Sequence, residues 1–250
     1  MSATPALPVL RPGAPFPPAS QAWPEHSPAP GLVAAGGALD VASLLAAYGS
    51  GLFPWFSAGE PILWWSPDPR MVLAPARFRL HRSLRRTLQR LVRDGRCEIR
   101  MDSAFERVIT ACAQAPRPGQ SGTWIGPAMR RAYQALHAAG HAHSVETWVD
   151  GRLVAGLYGV GIGRMVFGES MFTTVTDGSK LALAALVAWA RHHRLPLIDC
   201  QQQTGHLASL GAAPVPRGAF VEQVQALAAQ PAPAWQFKPV YWTELTLGPP

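Results

Sequence analysis

The sequence predicts an α+β fold, and three observations predict it. Residues 144–149, 153–160 and 165–172 read as three strands joined by tight turns at Asp150-Gly151 and at 161–163. An apolar segment of helical length follows, from about Lys180 to His193. Residues 196–199 then return as a short apolar strand. An antiparallel meander followed by a helix and a strand segregates its elements as α+β domains do.

The elements before this block come in order. Residues 1–31 hold nine of the 25 prolines and almost no aliphatic periodicity, so composition reads them as an extended or disordered tail. A short helix follows, with Asp40 as N-cap, Leu44, Leu45 and Tyr48 at helical spacing, and Gly49 just past its end. Residues 51–56 (Gly-Leu-Phe-Pro-Trp-Phe) read as a loop or edge segment, and 61–70, with three prolines in ten residues, as rigid connecting chain. Ser83 caps a helix to about Val92, with Leu84, Leu88 and Leu91 as its apolar stripe. Residues 97–101 read as a strand, 105–113 and 127–139 as helices, and a helix-like segment follows His206. The order of meander, helix and strand is compatible with the acyltransferase fold typified by the N-acetyltransferases.

Composition bounds the function. The 250 residues are 48% hydrophobic and only 15% charged, so a core can form and global disorder is excluded. Three cysteines (Cys97, Cys112, Cys200) without a CxxC spacing argue against a disulfide framework or a zinc ribbon, and for a reducing compartment. No uncharged apolar run reaches the ~18 residues of a membrane span. No basic segment followed by an apolar one opens the chain, so a cleaved signal is not expected. A cytoplasmic protein is the expectation.

The net charge of +7 is local. Residues 77–100 carry nine arginines against Asp94 and Glu98, which accounts for the whole excess. On the helix expected there, Arg82, Arg86 and Arg90 line one face beside Arg85. Like charges at this spacing repel by about 0.2–0.5 kcal/mol per pair. Such a stripe suits an anionic partner, phosphate backbone above all, although a solvated face would look the same.

Several chemistries are missing. There is no GxxxxGK[ST], no GxGxxG, no GxSxG elbow and no (Q/R)xxGx(G/A) pyrophosphate loop between Phe172 and Lys180. Gly159, Gly161 and Gly163 suit close backbone packing better than phosphate binding. His137, His141 and His143 fall at a helix end, a turn and a strand, so no metal is expected from them. Cys200 reads more readily as a small buried residue than as a nucleophile.

Polar groups at the ends of apolar strands remain. Glu169 interrupts Val-Phe-Gly-Glu-Ser-Met-Phe, and by alternation it shares a face with Phe167 and Met171. Asp199 ends another apolar strand, with Gln201 on the same face. A carboxylate in such a strand is expensive unless paired. Two such sites flanking one helix point to a functional cleft.

The same residues carry a family resemblance. The blocks are residues 31–37, 47–56, 61–70, 122–125, 140–146, 168–172 (Gly-Glu-Ser-Met-Phe), 197–201 (Leu-Ile-Asp-Cys-Gln) and 206–212. In this order they resemble the leucyl/phenylalanyl-tRNA–protein transferases over nearly the whole chain, from about Phe16. The chain departs from that pattern at Ala38, where aspartate is usual, and at Leu157, where methionine is familiar.

The resemblance implies an acetyltransferase-like (GNAT-type) catalytic domain over 71–250, a small N-terminal domain over 16–70 and a flexible tail over 1–15. It implies transfer of Leu, Phe or Met from aminoacyl-tRNA to the N-terminal Arg or Lys of proteins marked for degradation, by a monomeric enzyme with no membrane association. The ester is already activated, so no ATP, metal or other cofactor is implied. Asp199 is implied to polarise Gln201, which orients the attacking amine and helps remove its proton. Glu169 is implied to bind the acceptor's cationic residue. Leu157, Met171 and Ile198 would line the aminoacyl pocket, and Trp55 and Trp124 would stack near the terminal adenosine. Arg82, Arg85, Arg86 and Arg90 would hold tRNA phosphates. A coenzyme-A-dependent acetyltransferase and a non-catalytic tRNA-binding protein are the alternatives.

Overall fold

The computed structural model describes residues 6–116 and 123–246. Residues 1–5 of the expected tail and Gly122 of the 122–125 block lie outside the described residues, as do the side chains of Leu91 to Arg93.

Two sheets share the chain. The first has four strands, built from β1 (Val9–Leu10), β2 (Leu32–Gly36), β3 (Phe53–Pro54) and β4 (Leu63–Trp65), in the order β1-β2-β4-β3. Strand β1 falls within the expected tail, yet its residues pair in parallel with Ala35 and Gly36. Phe16 packs edge-on against the fully buried Trp64 at 4.6 Å. The resemblance starts the N-terminal domain at Phe16, but proline-rich composition hides both anchors, because a two-residue strand and one aromatic contact leave no periodicity. For the same reason β4 lies inside the segment read as connecting chain.

The second sheet has seven strands: β5 (Arg70–Leu73), β6 (Cys97–Met101), β7 (Ala142–Val149), β8 (Arg152–Ile162), β9 (Met165–Thr173), β10 (Ile198–Gln201) and β11 (Ala213–Val215). Their order is β11-β5-β10-β9-β8-β7-β6. The expected meander is β7-β8-β9. The sheet is antiparallel except between β9 and β10, which run parallel. That pairing is a crossover through α5 (Gly178–His192), whose apolar residues are buried almost throughout. A helix covered on nearly all sides needs no polar face, which explains its uninterrupted apolar run from Leu181 to Ala190.

Helix α2 (Arg82–Arg93) joins α5 on one face of the sheet. It begins one residue before Ser83 and buries Leu84 and Leu88. The opposite face carries α3 (Phe105–Gln114) and α4 (Pro127–Ala138), with α1 (Val41–Gly49) against α4. Asp40 caps α1 as expected, accepting the Ser43 amide N–H at 2.7 Å. One cluster of buried side chains runs from Trp64, Tyr48 and Phe53 to Tyr133, Tyr158 and Phe167, so the N-terminal sheet and the large sheet share a core. The end of the chain adds α6 (Gly205–Ser209), α7 (Arg217–Ala228) and α8 (Thr243–Thr246).

Candidate active site

Two register slips on neighbouring strands build the site. Along β8 and β9, Tyr158 faces Ser170 and Gly159 faces Gly168, so Glu169 is an extra residue. Along β5 and β10, Val72 faces Asp199 and Met71 faces Gln201, so Cys200 is an extra residue. A bulge re-aims the side chains around it and breaks strict alternation. Here the break separates Phe167 from Met171. Phe167 packs with Tyr48 at 5.0 Å in the cluster beneath α1 and α4, whereas Met171 packs against the cluster around α5. The face expected to hold Phe167, Glu169 and Met171 together is therefore divided, and Glu169 turns towards the tyrosines beside Phe167.

Glu169 is held by neutral donors. Tyr48 donates its hydroxyl to Oε1 at 2.6 Å, Tyr133 donates to Oε2 at 3.0 Å, and Gln201 Nε2 donates to Oε1 at 2.7 Å. The tyrosine hydroxyls also meet each other at 2.5 Å. Burial pushes the Glu169 carboxyl up to about 7, against the lowering effect of its hydrogen bonds and with help from the charge of Asp199. Both tyrosine hydroxyls are raised well above 10, chiefly by burial and then by the charge of Glu169.

Asp199 has a different environment. It is fully buried, and so is Arg70, which donates Nε to Oδ1 at 2.8 Å and Nη2 to Oδ2 at 2.6 Å. Arg70 also donates Nη1 to the Gly51 carbonyl at 3.2 Å, and its guanidinium lies 4.8 Å from the Phe53 ring and 4.5 Å from the Phe220 ring. Asp199 Oδ1 accepts the Gln201 backbone N–H at 2.9 Å. The link between Asp199 and Gln201 therefore runs through the main chain, while the Gln201 side chain reaches Glu169. Gln201 has φ 61°, a left-handed conformation that this pair of contacts holds in place.

Strands β9 and β10 pair only at Val166–Ile198 and Phe167–Asp199. Next to that pairing lies a cavity of about 170 Å³. Leu157, Met171 and Ile198, the residues for which the resemblance implies an aminoacyl pocket, line it together with Leu183, Leu186 and Leu207, and with Glu169 and Asp199. Cys200 also lines it, but burial pushes its thiol up to about 12, so it stays protonated and a poor nucleophile. Trp55 and Trp124 do not line this cavity. Both pack at the edge of the cluster beneath α1 and α4, and Trp55 lies 5.6 Å from Trp65.

Arg70, Tyr48 and Tyr133 are the residues that the sequence reading missed as parts of the site. Arg70 stands in a block quoted for its prolines and tryptophans, and an arginine there carries no local mark of burial. On α2, Arg82, Arg86 and Arg90 are exposed and Arg85 is half-buried, and none of the four lines this cavity. The three histidines go separate ways. His137 Nδ1 meets the Ala142 carbonyl at 2.7 Å, His141 Nδ1 the Gly161 carbonyl at 3.4 Å, and His143 Nδ1 the Asp102 carboxylate at 2.7 Å.

Gly159 makes the first slip possible. A Cβ there would stand 2.4 Å from the Phe167 carbonyl oxygen, inside the backbone of the paired strand. Gly159→Ala is expected to cost about 3 kcal/mol, the upper end of ordinary substitutions. Urea unfolding measures it, and an unchanged midpoint would mean that β8 and β9 part here without cost.

The sequence model of the leucyl/phenylalanyl-tRNA protein transferase family matches residues 72–225, and that of the N-terminal domain of the same family matches residues 37–68. A leucyl/phenylalanyl-tRNA–protein transferase of Polaromonas sp. strain JS666 is 60% identical over 239 residues, covering 96% of this chain and 94% of its own. One from Albidiferax ferrireducens is 57% identical over 244 residues, covering 98% of this chain and 96% of its own. Among solved structures, L-PGS from Bacillus licheniformis is 12% identical with a TM-score of 0.39, covering 71% of this chain and 64% of that one, a likeness too low to bear on fold or function.

Proposed function

The chain belongs to the leucyl/phenylalanyl-tRNA protein transferase family, and from that premise we propose how its residues divide the work. It is an aminoacyl-tRNA–protein transferase. The donors in our reading are Leu-, Phe- and Met-tRNA, and the acceptors are proteins with N-terminal Arg or Lys, tagged for degradation. The observation that carries the site assignment is the Glu169–Gln201 contact beside an apolar cavity.

The reaction is aminolysis of an ester. The acceptor's α-ammonium, with a pKa of about 7.7–8.0, loses a proton, and its nitrogen attacks the aminoacyl carbonyl. The bond to the ribose oxygen breaks, that oxygen takes a second proton from the nitrogen, and an amide remains. Leu157, Met171 and Ile198 take the unbranched-β side chain of the donor, with Leu183, Leu186 and Leu207 completing the wall. Gln201 points its amide nitrogen at Glu169, which leaves its Oε1 to accept a hydrogen from the amine. Asp199, fixed by Arg70, acts through the Gln201 N–H and so positions it. Glu169 binds the acceptor's cationic residue, whose charge compensates the cost of the buried carboxylate. Trp55 and Trp124 stack on the terminal adenosine or its amino acid, contacts worth about 1–3 kcal/mol per base.

We read residues 71–250 as an acetyltransferase-like (GNAT-type) unit and 16–70 as a smaller one. The antiparallel meander, the crossover through α5 and the parallel return of β10 support the first, and the two family models, which end at 68 and begin at 72, support the division. Among the described residues, no helix is long and apolar enough to cross a membrane.

The test is transfer of radiolabelled leucine from Leu-tRNA to a peptide beginning with Arg, with acetyl-CoA as a competing donor. Labelling from acetyl-CoA alone would overturn the assignment. Neutralising Arg82, Arg86 and Arg90 together is expected to weaken tRNA binding and to lower the slope of log K against log salt by up to about 0.9 per lost phosphate contact. An unchanged slope would show a solvated face instead.

A further inference from the structure

A third register slip redirects an arginine that the function above leaves unused. Between β7 and β8, Thr147 faces Ala155 and Trp148 faces Leu153, with Val154 as the extra residue, so Arg152 faces Val149. Thr147 belongs to the α5 face, because its hydroxyl donates to the Gly178 carbonyl at 3.2 Å. Trp148 belongs to the opposite face, under Arg107 of α3 at 5.2 Å. Strict alternation from Ala155 would send Arg152 to the α3 face. The slip sends it to the face of α2 and α5 instead.

There Arg152 and Arg90 of α2 line an open cleft of about 590 Å³, with Thr87, Thr147 and Thr176 among its other walls. Asp150 also lines the cleft; both its oxygens are taken by Arg96, at 2.9 Å for Nε–Oδ1, and the charge of Arg152 acts on it as well, so one acid stands against Arg90, Arg96 and Arg152. One acid does not balance three arginines, so the net charge here stays positive. The cleft and the aminoacyl cavity are lined from the same two elements, β8 and α5. Leu181 of α5 lines the first, and Leu183 and Leu186 line the second. On β8, Val154 and Leu157 stand three residues apart, about 10 Å of strand.

We propose that this cleft seats a backbone phosphate near the aminoacylated end of the tRNA, clamped between Arg90 and Arg152. It rests on the reading of the chain as a tRNA-dependent transferase. Guanidinium forks on two walls match the geometry of a phosphate, which a single row of arginines on a convex helix does not. Two cations across a cleft repel unless an anion lies between them, so the site favours phosphate over a neutral group. The clamp also ties the helix that carries the positive charge to the strand that lines the aminoacyl cavity, and so couples tRNA binding to placement of the ester.

The experiment measures tRNA affinity against salt for the full chain. Arg90→Ala and Arg152→Ala are each expected to lower the slope of log K against log salt by about 0.7–0.9, and Arg152→Lys to restore most of it, because a phosphate contact needs the charge. Arg131→Ala, an exposed residue of α4 on the opposite face, is the control for loss of one positive charge. In transfer assays, the ratio of KM for aminoacyl-tRNA to KM for aminoacyl-adenosine, which has no backbone phosphate, is expected to rise in both alanine variants. A slope for Arg152→Ala equal to that of the wild type or of Arg131→Ala overturns the clamp. Failure of the functional reading has another signature: the wild-type protein would transfer from neither donor, while the salt slopes would still decide the clamp.

Discussion

Replacing Asp199 by alanine is expected to lower the stability of the protein by about 3–5 kcal/mol, the cost of breaking a buried ion pair by removing one partner. Arg70 is fully buried, and two of its three hydrogen bonds go to Asp199. The variant leaves the guanidinium between Phe53 and Phe220 with the Gly51 carbonyl as its one hydrogen-bond partner among the described residues. A reading of Asp199 that acts only on the attacking amine expects lost turnover in an intact fold, and the buried pair changes that expectation. Urea unfolding of Asp199→Ala and of the double variant Arg70→Met, Asp199→Leu separates the two roles. The double variant is expected to recover most of the stability, because an apolar pair replaces the charges, and to stay slow in transfer, because Gln201 loses its anchor. A single variant within about 0.5 kcal/mol of the wild type would show that the pair opens to water.

Replacing Glu169 by glutamine is expected to raise the KM for Arg- and Lys-starting peptides roughly 30-fold or more, far more than it changes the Kd for aminoacyl-tRNA. The figure corresponds to about 2–5 kcal/mol for a desolvated charge pair with one charge removed. The pH dependence follows from the same residue. Its carboxyl is raised to about 7, so the anionic form that binds a cation grows as pH rises through 7. Peptide KM is therefore expected to fall from pH 6 to pH 8 in the wild-type protein, with that component absent in Glu169→Gln. The linkage to folding has the opposite sense. Ionising a buried carboxyl costs stability, so the contribution of Glu169 is fully present below about 4.5 and is lost as pH rises through about 7. Equal peptide KM values in the two proteins would make Glu169 a structural residue.

Part of the candidate site is legible in the sequence. Glu169, Asp199 and Gln201 stand out because acids and amides at the ends of apolar strands are costly without a task. The family resemblance points to Leu157, Met171 and Ile198, and the structure brings all three to one cavity. The strands of the meander and helix α5 were found because their periodicity and turn residues are local signals. The short strands β1, β4 and β11 were not, since two or three residues cannot display a period.

The sequence by itself determined the α+β class, the seven excess positive charges confined to 77–100, and the chemical types gathered around the cavity. These depend on residue type and on neighbours within a few positions. Only the tertiary structure decided which partner each polar group meets. Arg70 reaches Asp199 across 129 residues of chain, and Tyr48 and Tyr133 reach Glu169 across 121 and 36. It also decided the register slips at Val154, Glu169 and Cys200, each of which changes how neighbouring side chains face. A slip is a property of two strands pairing, set by glycines, carbonyls and side chains on both, so no single segment carries its signal.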